Sequence, residues 1–123
     1  MNIVVVEDQP TDLKLLKVVL AAEGHTVGIA QTAHAAFDLV KEVHPDVLLI
    51  DLRLPDMDGL SLARLIKDDP NTKDIPIVAM TAYRDTWTRE AVMAAGCDAY
   101  IAKPVDTRTL AKQLASTISK SDS

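Results

Sequence analysis

The sequence is short of aromatic residues, glycine and cysteine. Aromatic side chains make up 3% of the 123 residues, there are four glycines, and Cys97 is the single cysteine. A single cysteine cannot form an internal disulfide, and no group of cysteines and histidines has zinc-binding spacing. The sequence therefore excludes a disulfide-stapled domain and a zinc module. With 48% hydrophobic residues it can bury a core without either.

Positive charge and long apolar runs are also missing. The net charge is −5 at pH 7, the pI is near 5.0, and the lysines and arginines are scattered. Because a nucleic-acid-binding surface needs a basic face, that class of partner is not expected. No apolar run approaches the roughly 18 residues of a membrane span, and no signal peptide precedes Ile3. We therefore expect a cytoplasmic protein that binds neither nucleic acid nor a membrane.

Short aliphatic runs alternate with segments of helical spacing along the chain. The run from Val47 to Ile50 is apolar at every position and too short for a helix, which is typical of a strand covered on both faces. The predicted strands are residues 3–6, 26–30, 47–50, 77–80 and 99–102. Five successive strand-then-helix units predict one α/β domain, a three-layer (βα)5 sandwich with a parallel five-stranded sheet.

Capping residues and apolar spacing set the expected limits of the helices. Pro10 suits a first helical position, Thr32 an N-cap, and Asp106 is expected to cap the last helix. The fourth helix is expected over residues 86–95, and Gly59 is expected to allow a backbone conformation closed to other residues. The expected core-facing positions of the second and third helices are Ala36, Phe37, Val40 and Val43, then Leu62, Leu65 and Ile66.

Four of the five predicted strands end on a chemically useful side chain. Glu7 and Asp8 follow the first strand, Asp51 the third, Thr81 the fourth and Lys103 the fifth. If the second strand is the sheet edge, as in the flavodoxin-like order 2-1-3-4-5, these ends converge at one edge of the sheet. A single polar residue after a strand is usually no more than the start of a loop. The prediction of a site therefore depends on finding such residues after four of the five strands.

Three carboxylates brought together repel one another, and such a cluster is tolerated mainly beside a cation. Oxygen-only ligands with open water positions suit Mg²⁺. A carboxylate kept ionised by Mg²⁺ and Lys103 can act as a nucleophile toward phosphorus. The metal and Lys103 would spread the charge of the phosphoryl oxygens, with Thr81 as a neutral donor.

The whole chain resembles the receiver domains of response regulators in two-component signalling, in particular the single-domain, chemotaxis-regulator-like type. Both the spacing and the order of the matching segments agree. Those segments are Val-Val-Val-Glu-Asp ending at Asp8, Leu-Ile-Asp51-Leu-Arg-Leu-Pro-Asp-Met-Asp-Gly59, Met-Thr81-Ala82 and Tyr100-Ile-Ala-Lys103-Pro104.

The resemblance implies a magnesium site around a phosphoacceptor. Asp51 would accept the phosphoryl group, and Asp8, Asp51 and the Arg53 backbone carbonyl would bind Mg²⁺ directly. Glu7 would hold a metal-bound water. Gln9 stands where many receivers have a third acid, which should weaken the affinity for the metal at most modestly.

The resemblance also implies a switch and its partners. Thr81 and Lys103 would bind the phosphoryl group, Tyr100 would be an aromatic switch with Thr81, and Pro104 would follow a cis peptide bond. The phosphoryl donor would be a phosphohistidine on a sensor histidine kinase or a histidine phosphotransfer protein. The protein would phosphorylate and dephosphorylate itself without being a turnover enzyme. A downstream protein would bind the face of helix 4, strand 5 and helix 5.

We expect residues 1–123 to form a single receiver domain without an output domain, as a monomer or weak dimer. The motivation is that Met1 directly precedes the first strand and the chain ends shortly after the last helix. Trp87, the only tryptophan, is expected at the rim of the site, on the partner surface of helix 4, or in an ordinary core or surface position.

Rival functions share parts of this pattern. A phosphatase of the haloacid-dehalogenase type also uses an aspartate nucleophile with Mg²⁺, but it needs a second acid where Arg53 stands. A flavodoxin-like electron carrier needs a phosphate-binding loop after the first strand, where Glu7 and Asp8 would repel the phosphate of FMN. A degenerate receiver that is never phosphorylated is disfavoured because every site residue is present.

Overall fold

Within residues 1–121, the part of the chain that the computed structural model describes, five strands alternate with five helices, and side chains are described up to residue 118. The strands are β1 (Asn2–Val6), β2 (Thr26–Ala30), β3 (Val47–Asp51), β4 (Ile77–Thr81) and β5 (Ala99–Ala102). The helices are α1 (Pro10–Ala22), α2 (Ala33–Val43), α3 (Gly59–Asp68), α4 (Arg89–Ala94) and α5 (Leu110–Ser121).

The strands form one parallel sheet in the order β2-β1-β3-β4-β5, which confirms the predicted flavodoxin-like topology. The two central strands β3 and β4 are buried along their whole length. In the register of the sheet Asp51 pairs with Met80, and Thr81 pairs with Ala102. The carboxyl ends of four strands therefore lie at a single edge, on either side of the point where the chain order reverses.

Alternating side chains of the strands enter two separate cores, one on each face of the sheet, as the two-residue period of a strand requires. One core packs against α2, α3 and α4, and the other against α1 and α5. On the first face the buried strand residues include Val4, Val6, Leu48, Ile50, Ile77 and Ala79. On the second they include Ile3, Val5, Leu49, Val78 and Met80. No helix in the described part of the chain is long and apolar enough to cross a membrane.

Several local expectations are confirmed. Pro10 is the first residue of α1, and the Thr32 hydroxyl caps α2 by accepting a hydrogen bond from the Ala35 N–H at 3.1 Å. The peptide bond between Lys103 and Pro104 is cis.

Two predicted helix starts are wrong. The fourth helix begins at Arg89 and not at residue 86, since the Thr88 hydroxyl accepts the Ala91 N–H at 3.2 Å. Asp106 accepts the N–H of Arg108 in a turn that precedes α5, which starts only at Leu110.

Two predicted core positions are also wrong. Val43 is 42% exposed and Leu65 is 45% exposed. Val43 is the last residue of α2, beyond the part of the helix that packs on the sheet, and Leu65 is flanked on the buried face of α3 by Leu62 and Ile66. A helix resting on a flat sheet buries a narrower stripe than the spacing of its apolar residues suggests.

Gly59 is required for a different reason from the one expected. Its φ lies outside the left-handed region, but a Cβ at this position would lie 2.6 Å from Leu52 Cα and 2.9 Å from the Asp51 carbonyl oxygen. The Gly59 N–H donates to the Leu52 carbonyl at 2.9 Å, so the backbone after Asp51 touches the start of α3. Only a residue without a side chain permits that approach.

We predict that Gly59→Ala lowers the free energy of unfolding by about 1–3 kcal/mol, because backbone atoms must move to admit the methyl group. Gly28→Ala is the matched control, since its Cβ would meet only ordinary contacts, the nearest being Leu39 Cδ2 at 3.5 Å. Urea unfolding followed by circular dichroism measures both variants. Equal losses of stability would refute the close-approach explanation.

Candidate functional site

Lys103 joins the ends of three strands. Its ammonium nitrogen donates to Asp51 Oδ2 at 3.0 Å, to Asp12 Oδ2 at 3.3 Å, and in a shorter contact to Glu7 Oε1. The Lys103 side chain is 15% exposed, while Glu7 is fully buried and Asp51 nearly so. The predicted convergence of the ends of β1, β3 and β5 is therefore present in the structure.

Glu7, Asp8 and Asp51 form a compact carboxylate cluster. One oxygen from each of the three residues lies within 4.8 Å of the others. Three hard oxygen donors at this separation fit a Mg²⁺ ion that keeps some of its water ligands. These residues could hold the metal, and the Arg53 carbonyl stays a prediction as a further ligand.

Burial and mutual repulsion change the proton affinity of Glu7. Burial first, and then its contact with Asp51, raise the pKa of Glu7 to about 8, against the opposing effect of Lys103. Burial works to lower the pKa of Lys103, but hydrogen bonds to Glu7 and Asp51 outweigh burial and raise it. Lys103 therefore remains charged, and Glu7 holds a proton more readily than an ordinary glutamic acid.

The Asp51 carboxylate is held at both oxygens. The Arg53 N–H donates to Asp51 Oδ1 at 3.1 Å, and Lys103 donates to Oδ2. Each oxygen keeps a further lone pair, so the group is oriented and still able to bind a cation or attack an electrophile. Its position at the end of a fully buried strand fixes the direction in which it points.

A cleft of about 470 Å³ opens beside Asp51. Thr81 is fully buried, and its hydroxyl oxygen accepts the Tyr83 N–H at 2.8 Å, so its own proton stays available to a second acceptor. Ala82 and Tyr83, the two residues after Thr81, line the cleft. Tyr100 is half-buried on β5, and its hydroxyl donates to the Trp87 carbonyl at 3.0 Å.

Two features of the site were missed in the sequence. Asp12 lies in the first turn of α1, directly after the loop that carries Glu7 and Asp8, and its place at the start of that helix could have indicated its contact with Lys103. Arg53 donates to the Tyr83 hydroxyl, and its guanidinium carbon lies 4.9 Å from the centre of the Tyr83 ring. Nothing in the spacing of residues 53 and 83 indicates that pair.

The loop between β3 and α3 is anchored by Asp56 to the start of α2. Asp56 accepts the N–H groups of Ala33 at 2.8 Å and His34 at 3.0 Å, at the start of α2, and also contacts the His34 ring. Slight burial works to raise the pKa of Asp56, but the Ala33 and His34 N–H groups outweigh it and hold the pKa well below its ordinary range.

Comparisons with known proteins agree with this site. A family model described as the response regulator receiver domain matches residues 3–115. The chain is similar to the polar-differentiation response regulator DivK of Brucella ovis, with 35% identity over 104 residues, or 85% of each protein.

Two solved structures extend the likeness. The crystal structure of a putative response regulator from Chloroflexus aurantiacus superposes with a TM-score of 0.90 at 30% identity, covering 96% of this chain and 97% of that one. The receiver domain of a sensor histidine kinase from Pseudomonas aeruginosa, described with a magnesium ion coordinated in its active-site cleft, gives a TM-score of 0.88 at 31% identity, with the same coverage.

We predict that Mg²⁺ raises the unfolding midpoint of the protein and that Asp8→Asn weakens Mg²⁺ binding at least tenfold, because a neutral amide replaces one of three clustered carboxylates. Asp12→Asn is the matched control, since Asp12 is half exposed and lies outside the cluster. Thermal unfolding over a series of Mg²⁺ concentrations gives the affinities. Equal weakening by the two substitutions would count against the proposed ligands.

A second prediction concerns Asp56. Asp56→Ala should lower the free energy of unfolding at pH 7 by about 1–2 kcal/mol, as expected for the loss of a helix cap. Because the folded-state pKa lies below the ordinary value of 3.8, the contribution is complete above pH 3.8 and declines as the pH falls below it. Urea unfolding at pH 7 and at pH 3.5 should therefore show a smaller difference at the lower pH.

The control for Asp56 is Asp38→Ala, which removes an exposed acid from α2, the helix whose first N–H groups Asp56 accepts. It should be neutral or slightly stabilising at both pH values, since alanine is the better helix former. A loss for Asp56→Ala that is the same at both pH values would contradict the assigned charge of Asp56.

Proposed function

We propose a function for this chain on the ground that it belongs to the response regulator receiver domain family. The chain is a receiver domain of two-component signalling, and receiver domains work with histidine kinases or phosphotransfer proteins. Our proposal is that Asp51 accepts a phosphoryl group from a phosphohistidine on such a partner, in a reaction that requires Mg²⁺. The protein then acts as a switch whose phosphorylation changes what it binds.

The observation that carries the proposal is the arrangement of Asp51, which contacts the ammonium of Lys103 and forms a carboxylate cluster with Glu7 and Asp8. In the transfer, an oxygen of Asp51 would form a bond to phosphorus while the bond from phosphorus to the histidine nitrogen breaks. The histidine leaves with the electron pair. Lys103, which already contacts Asp51, would stabilise the negative charge on the phosphoryl oxygens.

Asp8, Asp51 and the Arg53 carbonyl would hold the metal directly in this reaction, and Glu7 would hold it through a metal-bound water. When bound, Mg²⁺ would neutralise charge on the phosphoryl oxygens. The structure supports this assignment through the donor set, which consists of oxygens within 4.8 Å of one another. Lys103 compensates part of the same negative charge and keeps the cluster compatible with a folded core.

Thr81 and Tyr100 would undergo the conformational change that follows phosphorylation of Asp51. The Thr81 hydroxyl has a proton to donate, and a phosphoryl group on Asp51 would attract it. Tyr100 would then turn toward the space that Thr81 leaves, since its present partner is only a carbonyl oxygen. The output would reach α4, β5 and α5. Support comes from a groove of about 360 Å³ between β5 and α5, beside Tyr100.

A phosphatase of the haloacid-dehalogenase type is the main rival, and Arg53 argues against it. A phosphatase needs a group that can give and take a proton near neutral pH. Arg53 occupies the position where that enzyme has its second acid, and a guanidinium does not release its proton in proteins. Its side chain is moreover engaged with Tyr83. The aspartyl phosphate should consequently accumulate.

We predict one stoichiometric phosphoryl group on the protein after incubation with acetyl phosphate and Mg²⁺, visible in the intact mass, stable to acid and labile to base. Asp51→Asn and removal of the metal should each abolish it, because the amide is neither an anionic ligand nor a nucleophile. Asp74→Asn is the control, since Asp74 lies beside Pro45 and Ile75 at the opposite end of the sheet.

Two results would overturn the signalling function. Full labelling of Asp51→Asn would place the phosphoryl group elsewhere. Multiple turnover of ordinary phosphate monoesters, without any phosphohistidine partner, would favour the hydrolase.

A further inference from the structure

Trp87 links two loops that the proposed switch must move relative to each other. Its indole Nε1–H donates to both carboxylate oxygens of Asp58, at 3.2 Å each. Asp58 belongs to the loop after Asp51 and also caps α3, since its Oδ1 accepts the Leu60 N–H at 2.7 Å. The indole is thus held by a residue that is itself fixed to a helix.

The same residue is connected to Thr81 through the backbone. The Thr81 hydroxyl accepts the Tyr83 N–H at 2.8 Å, and the Tyr83 carbonyl accepts the Trp87 N–H at 3.0 Å. The rings of Tyr83 and Trp87 meet edge to face at 6.3 Å. Hydrogen bonds and a ring contact therefore hold the segment from Thr81 to Trp87 together. A shift of the Thr81 hydroxyl toward Asp51 would displace the Trp87 indole.

Trp87 also contacts Tyr100, the second residue of the proposed switch. Its carbonyl oxygen accepts the Tyr100 hydroxyl at 3.0 Å. A turn of the Tyr100 ring toward Thr81 has to break this bond. One residue therefore makes contacts to the phosphoacceptor loop, through Asp58, and to the aromatic residue on β5.

We infer that Trp87 is a positioning residue that latches the unphosphorylated form by holding the segment after Thr81 against Asp58. This inference rests on the proposed function, because it concerns the regulation of the same site. A contact made in only one of two forms stabilises that form and weakens the binding of any ligand that prefers the other. Removing the indole N–H should therefore favour the form that a phosphoryl group stabilises.

The test uses beryllium fluoride, which binds an aspartate carboxylate as a mimic of the phosphoryl group, with saturating Mg²⁺ and the full chain. Calorimetric titration should show that Trp87→Phe binds the mimic about two- to fivefold more tightly than the wild type, the effect of one partly exposed hydrogen bond to a charged group. Phenylalanine keeps an aromatic ring at this position and removes the N–H donor together with part of the indole.

A matched variant isolates the bond to Asp58. Asp58→Asn keeps a good helix cap and an oxygen acceptor but removes the charge, so its affinity should increase less than that of Trp87→Phe. In the Trp87→Phe background, Asp58→Asn should have no further effect, because the donor is already gone. Additive effects in the double variant would overturn the latch.

The wild type supplies an independent signal, since Trp87 is the only tryptophan. Its fluorescence should change when the mimic binds, and it should not change in Asp51→Asn. A tryptophan with a purely structural role would lower stability in Trp87→Phe and leave the affinity equal or weaker, which would overturn the latch alone. Failure of the wild type to bind the mimic at all would overturn the proposed function and the latch together.

Discussion

The contact of the Lys103 ammonium with Glu7 and Asp51 is the interaction on which the rest of the site depends. Lys103 lies 96 positions after Glu7 and 52 positions after Asp51 in the sequence. The contact is largely buried, where a polar group without a partner would be costly. Among the described residues, no buried side-chain nitrogen or oxygen lacks a hydrogen-bond partner. Removing Lys103 would leave two buried carboxylates without their cation, whereas removing either acid leaves the lysine the other acid and Asp12 as partners. The site therefore relies more on the lysine than on any single acid.

This arrangement favours function over stability. Glu7, Asp8 and Asp51 face one ammonium, so negative charge exceeds positive charge at the end of a buried sheet. Apolar residues at the same positions would pack without repulsion and would bind no cation. Burial first, and then the neighbouring Asp51 carboxylate, raise the pKa of Glu7, so a proton on Glu7 can relieve part of the repulsion. An excess of this kind is what a cation-dependent phosphoryl acceptor requires.

The sequence was sufficient to predict the sheet and the convergence of its strand ends. The buried run from Val47 to Ile50 can only be a covered strand, and topology then brings Asp51 to Lys103. Local patterns were less informative about contacts between segments. Gly59 contacts the Leu52 backbone, and Arg53 contacts Tyr83, through folding of loops that carry no periodicity. The start of α4 was missed because the sequence does not show the turn at residues 83–87, which delays the helix until the Thr88 cap.

The two loops beside the cleft differ in how firmly they are held, and in the proposed switch this difference would decide which of them moves. The loop after Asp51 is fixed to α2 by Asp56, to α3 by Asp58, and to its own start by the Gly59 N–H. The segment after Thr81 makes its hydrogen bonds to that loop through side chains, from Arg53 to Tyr83 and from Trp87 to Asp58, all of them exposed. A phosphoryl group on Asp51 would lie between the firmly held loop after Asp51 and the segment after Thr81, which is held by few contacts. In the proposed switch the segment after Thr81 would be the one that moves, and it leads directly into α4 beside β5.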